Sequence, residues 1–313
     1  MNPAGSGRRD AASGDADADR DAGGGEAAAG DGTIRESEAA LGSAPAAAQG
    51  VEEVRTAGLP GWRVAALECR GARHVFTGRV GGRGNVAMSG GRDRAAAREV
   101  RAAWCAFLGV RPEDLVVPGL VHGAEVAVVG ESERGRGALG PSDVVAGVDA
   151  LVTTTPGLPL AMPVADCAAV VLHAAEPAAL AVVHAGWRGL AAGVLAATLH
   201  ALAELGADPA GVHAAVSPAA GPAGYEVGPE VAALAPAAAL RPGSGDRSFL
   251  DVASWARLAL LGLGLVPASV HVVGLDTTAD PRLFSHRRDG PGAGRHAAFA
   301  VLAPREGDQQ ASR

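Results

Sequence analysis

The chain has 313 residues, 27 basic against 34 acidic, with a formal net charge of −7. Residues 1–50 hold four arginines against nine acids and almost no large apolar side chain, so five of the seven net negative charges sit there. Such a stretch cannot bury enough surface to offset its ordering entropy. Every basic residue is arginine, and the absence of lysine excludes Schiff-base and pyridoxal-phosphate chemistry and the P-loop and protein-kinase machineries, each of which needs an amine.

The composition divides the chain into a disordered tail over 1–55, one α/β domain over 56–304 and a short disordered tail over 305–313. The body is close to neutral and carries no basic stripe, so it offers no electrostatic footprint for nucleic acid. No run of eighteen apolar residues and no secretory apolar segment is present, which predicts a cytoplasmic protein with no membrane partner. Cys69, Cys105 and Cys167 form no C-x-x-C pair and leave one odd thiol, as in a reducing compartment. A small-molecule ligand is therefore expected.

In chain order, "RVAALECRGARHVFTGRVGG" reads as a pair of strands running into a loop. Asp93 then caps a helix that Gly109 stops, with Val100, Trp104, Phe107 and Leu108 on one face and Cys105 beside it as a small buried hydrophobe. The segment from Asp114 to Gly130, a polar Gly-rich insertion over 131–142, and the runs "VDALVTTTPGLPLAMPVADCAAVVLHA" and "AALAVVHAGWRG" predict four or five strands. The later ones are continuous enough in apolar character to be buried on both faces. "LAAGVLAATLHALAELG" reads as one helix, "GVHAAVSP" as a strand and "GPEVAALAP" as a helix. "RPGSGDRS" looks disordered, Asp251 caps a further helix, and "SVHVVGL" and "HAAFAVLA" are strands. Strands and helices interleave with several adjacent strand pairs, so the expected fold is a single-domain mixed β-sheet sandwich flanked by helices, without internal repeats.

Most of the nine histidines need no special account: His173, His213 and His271 lie in apolar strands, His200 on a helix, and His74 and His296 beside strands. His122 in "LVHGAEV", Cys167 in "PVADCAAVVL" and His184 in "ALAVVHAGWRG" differ, since all three fall at ends or breaks of buried strands, where α/β sheets gather their ligands. Two imidazoles and one thiolate suit zinc, and three protein ligands leave an open position of the catalytic kind. Such a metal would acidify a bound water or polarise a substrate oxygen. The separations along the chain match no local zinc motif, so spacing alone does not make the three converge. The "HAGWRG" turn carries Arg188 to a helix start, either as an anion site or as an ordinary turn with a solvated arginine. Trp187 beside it is a stacking platform or a core residue. Near the end of the chain, Arg287, Arg288 and Arg295 surround a Gly- and Pro-rich turn, solvated or clamping a phosphate.

The segments "FTGRVGG", "VHGAEV", "DALVT", "ADCAAVVL", "HAGWRG", "GYEVG" and "FSHRRDGPGAGR", in this order over 73–302, resemble the YfiH-like laccase-domain family. Its members are variously described as laccase-domain, multicopper polyphenol oxidase or purine nucleoside phosphorylase proteins. The resemblance implies an α/β/α domain with zinc held by His122, Cys167 and His184. It also implies phosphorolysis of adenosine, inosine, guanosine and methylthioadenosine, with adenosine deamination. Cys167, Asp166 and Arg188 are the expected catalytic residues, and Arg79, Arg188 and Arg287 the expected substrate and phosphate contacts. Nucleoside and phosphate are the expected partners of a monomer, with copper as the alternative metal. Oxidation at a multicopper cluster fits poorly, because the chain has no His-x-His. Val121, Ala223, Gly224, Thr277, His286 and Ala293 depart from the family's usual residues, which leaves substrate choice less secure than the metal ligands. Two other readings stand beside this one. One is a metal-free hydrolase or deamidase with Cys167 as nucleophile and His184 as base, and the other a non-enzymatic envelope-editing accessory protein of the same fold.

Overall fold

The computed structural model describes residues 50–303. The expected tails over 1–49 and 305–313 lie outside the described residues. The tail boundary at 55 is corrected, because the chain enters the fold at Val51 in β1 (Val51–Thr56). That strand pairs along its whole length with β2 (Leu59–Val64), and its polar side chains are those of a sheet edge facing water. A single turn, α1 (Ala65–Glu68), leads to β3 (Ala72–Thr77), giving the expected strand pair. Helix α2 (Arg94–Leu108) runs between its two sequence signals: the Asp93 carboxylate accepts from the amides of Ala95 and Ala96, and Gly109 closes the helix at φ +68°.

Then follow β4 (Pro118–Gly119), β5 (Val126–Val128), β6 (Val145–Ala146), β7 (Ala150–Thr153), β8 (Leu160–Val164), β9 (Ala168–Ala175) and β10 (Ala178–Ala185). After β10 the single expected helix is two, α3 (Trp187–Ala191) and α4 (Val194–Glu204), because Gly193 at φ +84° breaks the ladder between them. β11 (His213–Val216) and β12 (Glu226–Val227) come next. The helix expected after Gly228 is one turn only, α5 (Pro229–Ala232). "RPGSGDRS" is ordered, its ends belonging to β13 (Leu240–Pro242) and β14 (Ser248–Leu250) of a three-stranded sheet completed by β12. α6 (Val252–Gly262) starts at Asp251, which caps it through the Ser254 amide. β15 (Val270–Val272), α7 (His286–Asp289) and β16 (His296–Leu302) complete the chain.

Two large sheets, of order β1-β2-β3-β16-β8 and β15-β11-β9-β10-β7-β5, stack face to face. The alternation of β9 and β10 decides the layers. Val171, Leu180 and Val182 meet Phe76, Leu160 and Met162 of the other sheet. Val170, Leu172, Ala181 and Val183 face Leu195, Leu199, Trp255 and Leu260 of α4 and α6. On the outer side of the five-stranded sheet, Val75, Phe299 and Val301 pack against Trp104 and Leu108 of α2. The result is the expected mixed sandwich with helices on both outer faces. No helix among the described residues is long and apolar enough to cross a membrane.

Candidate metal centre

Four adjacent strands of the six-stranded sheet bring their termini to one edge. β10 runs antiparallel to both β9 and β7, and β5 runs parallel to β7. The end of β10 therefore lies beside the starts of the other three. His184 is next to last in β10, in register with Ala169, so Cys167, just ahead of β9, falls beside it. Asp149 immediately precedes β7, and His122 lies in the loop leading into β5.

These termini gather His122, Cys167 and His184, whose ligand atoms all lie within 4.8 Å of one another. The two imidazole rings stand edge to face, with centroids 4.8 Å apart and planes at 81°. His184 is buried, Cys167 half-buried and His122 exposed, so the group opens to solvent on one side. Two backbone positions are shaped to allow this. His122 adopts φ +60° and Asp166, before the cysteine, φ +80°, a region non-glycine residues rarely occupy without a structural reason. Gly186 is also required, because a Cβ there would stand 2.6 Å from the Cys167 Sγ.

The restraint that the sequence did not reveal is Asp149. Its carboxylate is fully buried and takes the His184 Nδ1 at 2.8 Å. It also accepts the amides of His122 at 2.9 Å, Gly123 at 2.7 Å and Val121 at 3.3 Å. One carboxylate thus fixes both histidine-bearing segments, and it leaves Nε2 as the free nitrogen of His184. Burial raises the pKa of the Asp149 carboxyl, but His184 and the loop amides more than offset this and hold it low. Burial likewise opposes charge on Cys167 and His184, yet each favours the charged form of the other. The thiol is pulled below its usual range by His184 and His122, and the His184 imidazole is raised by Cys167 and Asp149. These opposite directions describe a thiolate paired with a protonated His184, and a metal cation would take the place of that proton. In a tetrahedral site with ligands about 2.0–2.3 Å from the ion, donor atoms stand about 3.5 Å apart. Small side-chain rotations would bring this group to that spacing, so the residues fit a zinc or soft copper ion.

The other expected residues are dispersed around this group. The Asp166 carboxylate is engaged elsewhere, accepting the Thr277 hydroxyl and the Arg287 amide, both at 2.6 Å. Arg287 lies across the Tyr225 ring at 4.5 Å and donates to the Glu226 carbonyl at 2.6 Å. Arg188 covers the Trp187 ring at 4.3 Å. Tyr225, the sole tyrosine, is the second residue sequence reasoning missed. Burial raises its phenol to about 12, with the Cys167 thiolate adding to this and Arg287 and Arg188 opposing it, so all four share one neighbourhood. α3 has only five residues, so the attraction for an anion rests on the guanidinium groups rather than on a helix dipole. The Arg79 guanidinium has partners of its own. It pairs with Asp289 at 3.1 Å and lies over Phe284 at 5.0 Å. Arg288 is no phosphate clamp either, its guanidinium being taken up by Asp289 and by the Thr277 and Leu283 carbonyls.

The family model described as multi-copper polyphenol oxidoreductase laccase matches residues 73–303. A purine nucleoside phosphorylase of Streptomyces coelicolor is 38% identical over 243 residues, spanning 74% of this chain and 96% of that one. One from Corynebacterium glutamicum is 36% identical over 254 residues, spanning 76% and 96%. The crystal structure of YlmD from Geobacillus stearothermophilus superposes with a TM-score of 0.75 at 29% identity, over 83% of this chain and all of that one. Bacillus licheniformis YfiH, at 24% identity and a TM-score of 0.73 over 77% of this chain and 96% of its own, shares the fold.

Proposed function

This chain belongs to the multi-copper polyphenol oxidoreductase laccase family, and from that premise we propose that it is a cytoplasmic, zinc-dependent purine nucleoside phosphorylase. Its substrates are adenosine, inosine, guanosine and methylthioadenosine, with adenosine deamination as a second activity. The observation that carries this reading is the convergence of His122, Cys167 and His184 at an open edge that Arg188, Arg287 and Tyr225 share. Relatives 33–39% identical bear the name purine nucleoside phosphorylase.

His122, Cys167 and His184 would hold the metal, which would supply Lewis-acid polarisation of a substrate oxygen or of water. Asp149 keeps Nδ1 of His184 protonated and Nε2 free, and it ties down the amides of the His122 loop. Arg188 and Arg287 provide two exposed guanidinium groups for the phosphate nucleophile. Trp187 and Tyr225, each lying under one of them, offer flat faces for the base. Asp166 anchors α7 through the Arg287 amide and so keeps Arg287 at the site. The laccase label of the family finds no support in the ligand count. Among the described residues this is the one group of three or more metal-capable side chains, whereas a multicopper cluster needs many paired imidazoles.

The test is to incubate the purified protein with adenosine and inosine, with and without phosphate, and to measure free base, ribose 1-phosphate and ammonia. Phosphate-dependent release of base supports the reading, and no turnover with zinc and phosphate both supplied defeats it. One observation favours a second reading. Asp149, His184 and Cys167 stand in the order of an acid–base–nucleophile triad, as a metal-free hydrolase would arrange them. Metal analysis separates the two: about one zinc per chain, lost in Cys167→Ala, supports the first, and a metal-free protein selectively alkylated at Cys167 supports the second.

A further inference from the structure

A cavity of about 590 Å³ lies on the far side of the five-stranded sheet, between α2, the loop after β3 and the segment around α7. None of the metal-centre donors lines it. Its volume is that of an ordinary small-molecule pocket, and its walls divide into three chemistries. Leu59, Val100 and Phe284 provide apolar surface.

Arg83 and Arg92 provide positive charge that no carboxylate balances among the described residues. The Arg83 guanidinium donates only to the Ala57 carbonyl at 3.3 Å, whereas the Arg92 guanidinium makes four bonds to the carbonyls of Ser89, Pro291 and Ala293. The acids nearby are largely committed. Asp93 caps α2, and Asp289 is held by Arg79 and Arg288. Glu99 is the exception, with no ion pair or hydrogen bond among the described residues, and it faces the same space. Arg83 offers guanidinium N–H groups that are largely free, and Arg92, whose donors are mostly spent on carbonyls, adds uncompensated positive charge beside it; together they match a phosphate. The apolar wall matches a flat body, and a free carboxylate matches an N–H on that body.

We propose that this cavity is a second small-molecule site, separate from the metal centre, which binds a phosphate monoester carrying a flat, amino-bearing apolar body. The phosphate lies between Arg83 and Arg92, and the body lies along Leu59, Val100 and Phe284 with its amino group toward Glu99. The site also touches the catalytic side of the fold. Asp289 on its wall and Arg287, whose amide holds Asp166, belong to the same turn, α7.

The experiment is calorimetric titration of the full-length protein with adenosine 5′-monophosphate, adenosine and inorganic phosphate. It is repeated on Arg83→Ala, on Ala96→Trp, which fills the cavity from an exposed position of α2, and on Cys167→Ala. The proposal expects the monophosphate to bind at least tenfold more tightly than adenosine or phosphate alone. It also expects at least a tenfold loss in Arg83→Ala, no binding in Ala96→Trp, and unchanged binding in Cys167→Ala. Binding that is lost in Cys167→Ala but survives Ala96→Trp would assign the ligand to the metal centre and overturn the proposal, as would no binding of the monophosphate at millimolar concentration. Because the readout is binding in a variant without the metal-site thiol, failure here leaves the phosphorylase reading untouched.

Discussion

Replacing Asp149 with asparagine probes the one group that links both histidine-bearing segments. The aspartate accepts four hydrogen bonds, Oδ1 serving His184 and the His122 amide, Oδ2 serving the Gly123 and Val121 amides. Asparagine keeps one acceptor oxygen, so one pair loses its partner and faces an NH2 donor instead. Bonds to a charged group contribute about 1.5–3 kcal/mol each. Because His122 is exposed, the lower end applies, and the loss comes to about 3 kcal/mol. That is tolerable against a typical stability of about 5–15 kcal/mol, so the variant should fold with a lowered urea midpoint. The larger consequence is at the metal. Without the carboxylate, His184 is no longer held with Nδ1 protonated, and outer partners of this kind typically change metal affinity about 10–100-fold. Competition for zinc against a chromophoric chelator measures this directly. A folded Asp149→Asn protein that holds zinc as tightly as the parent would refute the assignment of Asp149 as the positioning group.

Further expectations follow from the same geometry. Gly186→Ala is compatible with its backbone at φ −78°, but it sets a methyl 2.6 Å from the Cys167 Sγ. Zinc content and phosphorolysis should therefore fall at least tenfold with little change in thermal midpoint; full zinc loading would show that the thiol is not where the ligand set needs it. Arg101 is 5% exposed and donates to the carbonyls of Val86, Gly137 and Ala138. Arg101→Lys cannot reach all three, and should cost about 2–3 kcal/mol in urea unfolding, with an unchanged midpoint counting against this role. Burial pushes His74 and His173 down to about 4 and His296 to about 3. All three folded values lie below the unfolded one near 6.5, so the unfolded state binds more protons as pH falls. Stability should then be flat above about pH 6.5 and decline below it, by up to about 1.4 kcal/mol per pH unit for each group. Equal urea midpoints at pH 7 and pH 5 would contradict this.

Much of the fold was legible because its signals are local. Asp93 and Gly109 mark both ends of α2, Asp251 marks the start of α6, and the unbroken apolar runs of β9 and β10 reveal strands buried on both faces. The misreadings have a common cause in short, polar or interrupted elements. β1 is an exposed edge strand whose charged residues look like tail, and β13 and β14 are three-residue strands around a Gly- and Ser-rich turn. The break at Gly193 is a left-handed residue inside an otherwise helical pattern. The three candidate ligands were visible as strand ends, but their meeting depends on the order β9-β10-β7-β5, which no local pattern encodes. Asp149 left one trace, an acid opening the apolar strand "DALVT". Its four partners, Val121, His122, Gly123 and His184, lie 26 to 35 positions away along the chain. Arg79 shows the reverse: it stands in a family-like segment, yet the fold commits its guanidinium to Asp289 and Phe284.

X-ray absorption at the zinc edge, recorded on the purified full-length protein, bears most directly on the shared ion at His122, Cys167 and His184. One sulfur at about 2.3 Å and two nitrogens at about 2.0 Å, with the sulfur signal abolished in Cys167→Ala, is the expected spectrum. A zinc shell without sulfur, or one unchanged by Cys167→Ala, would contradict it.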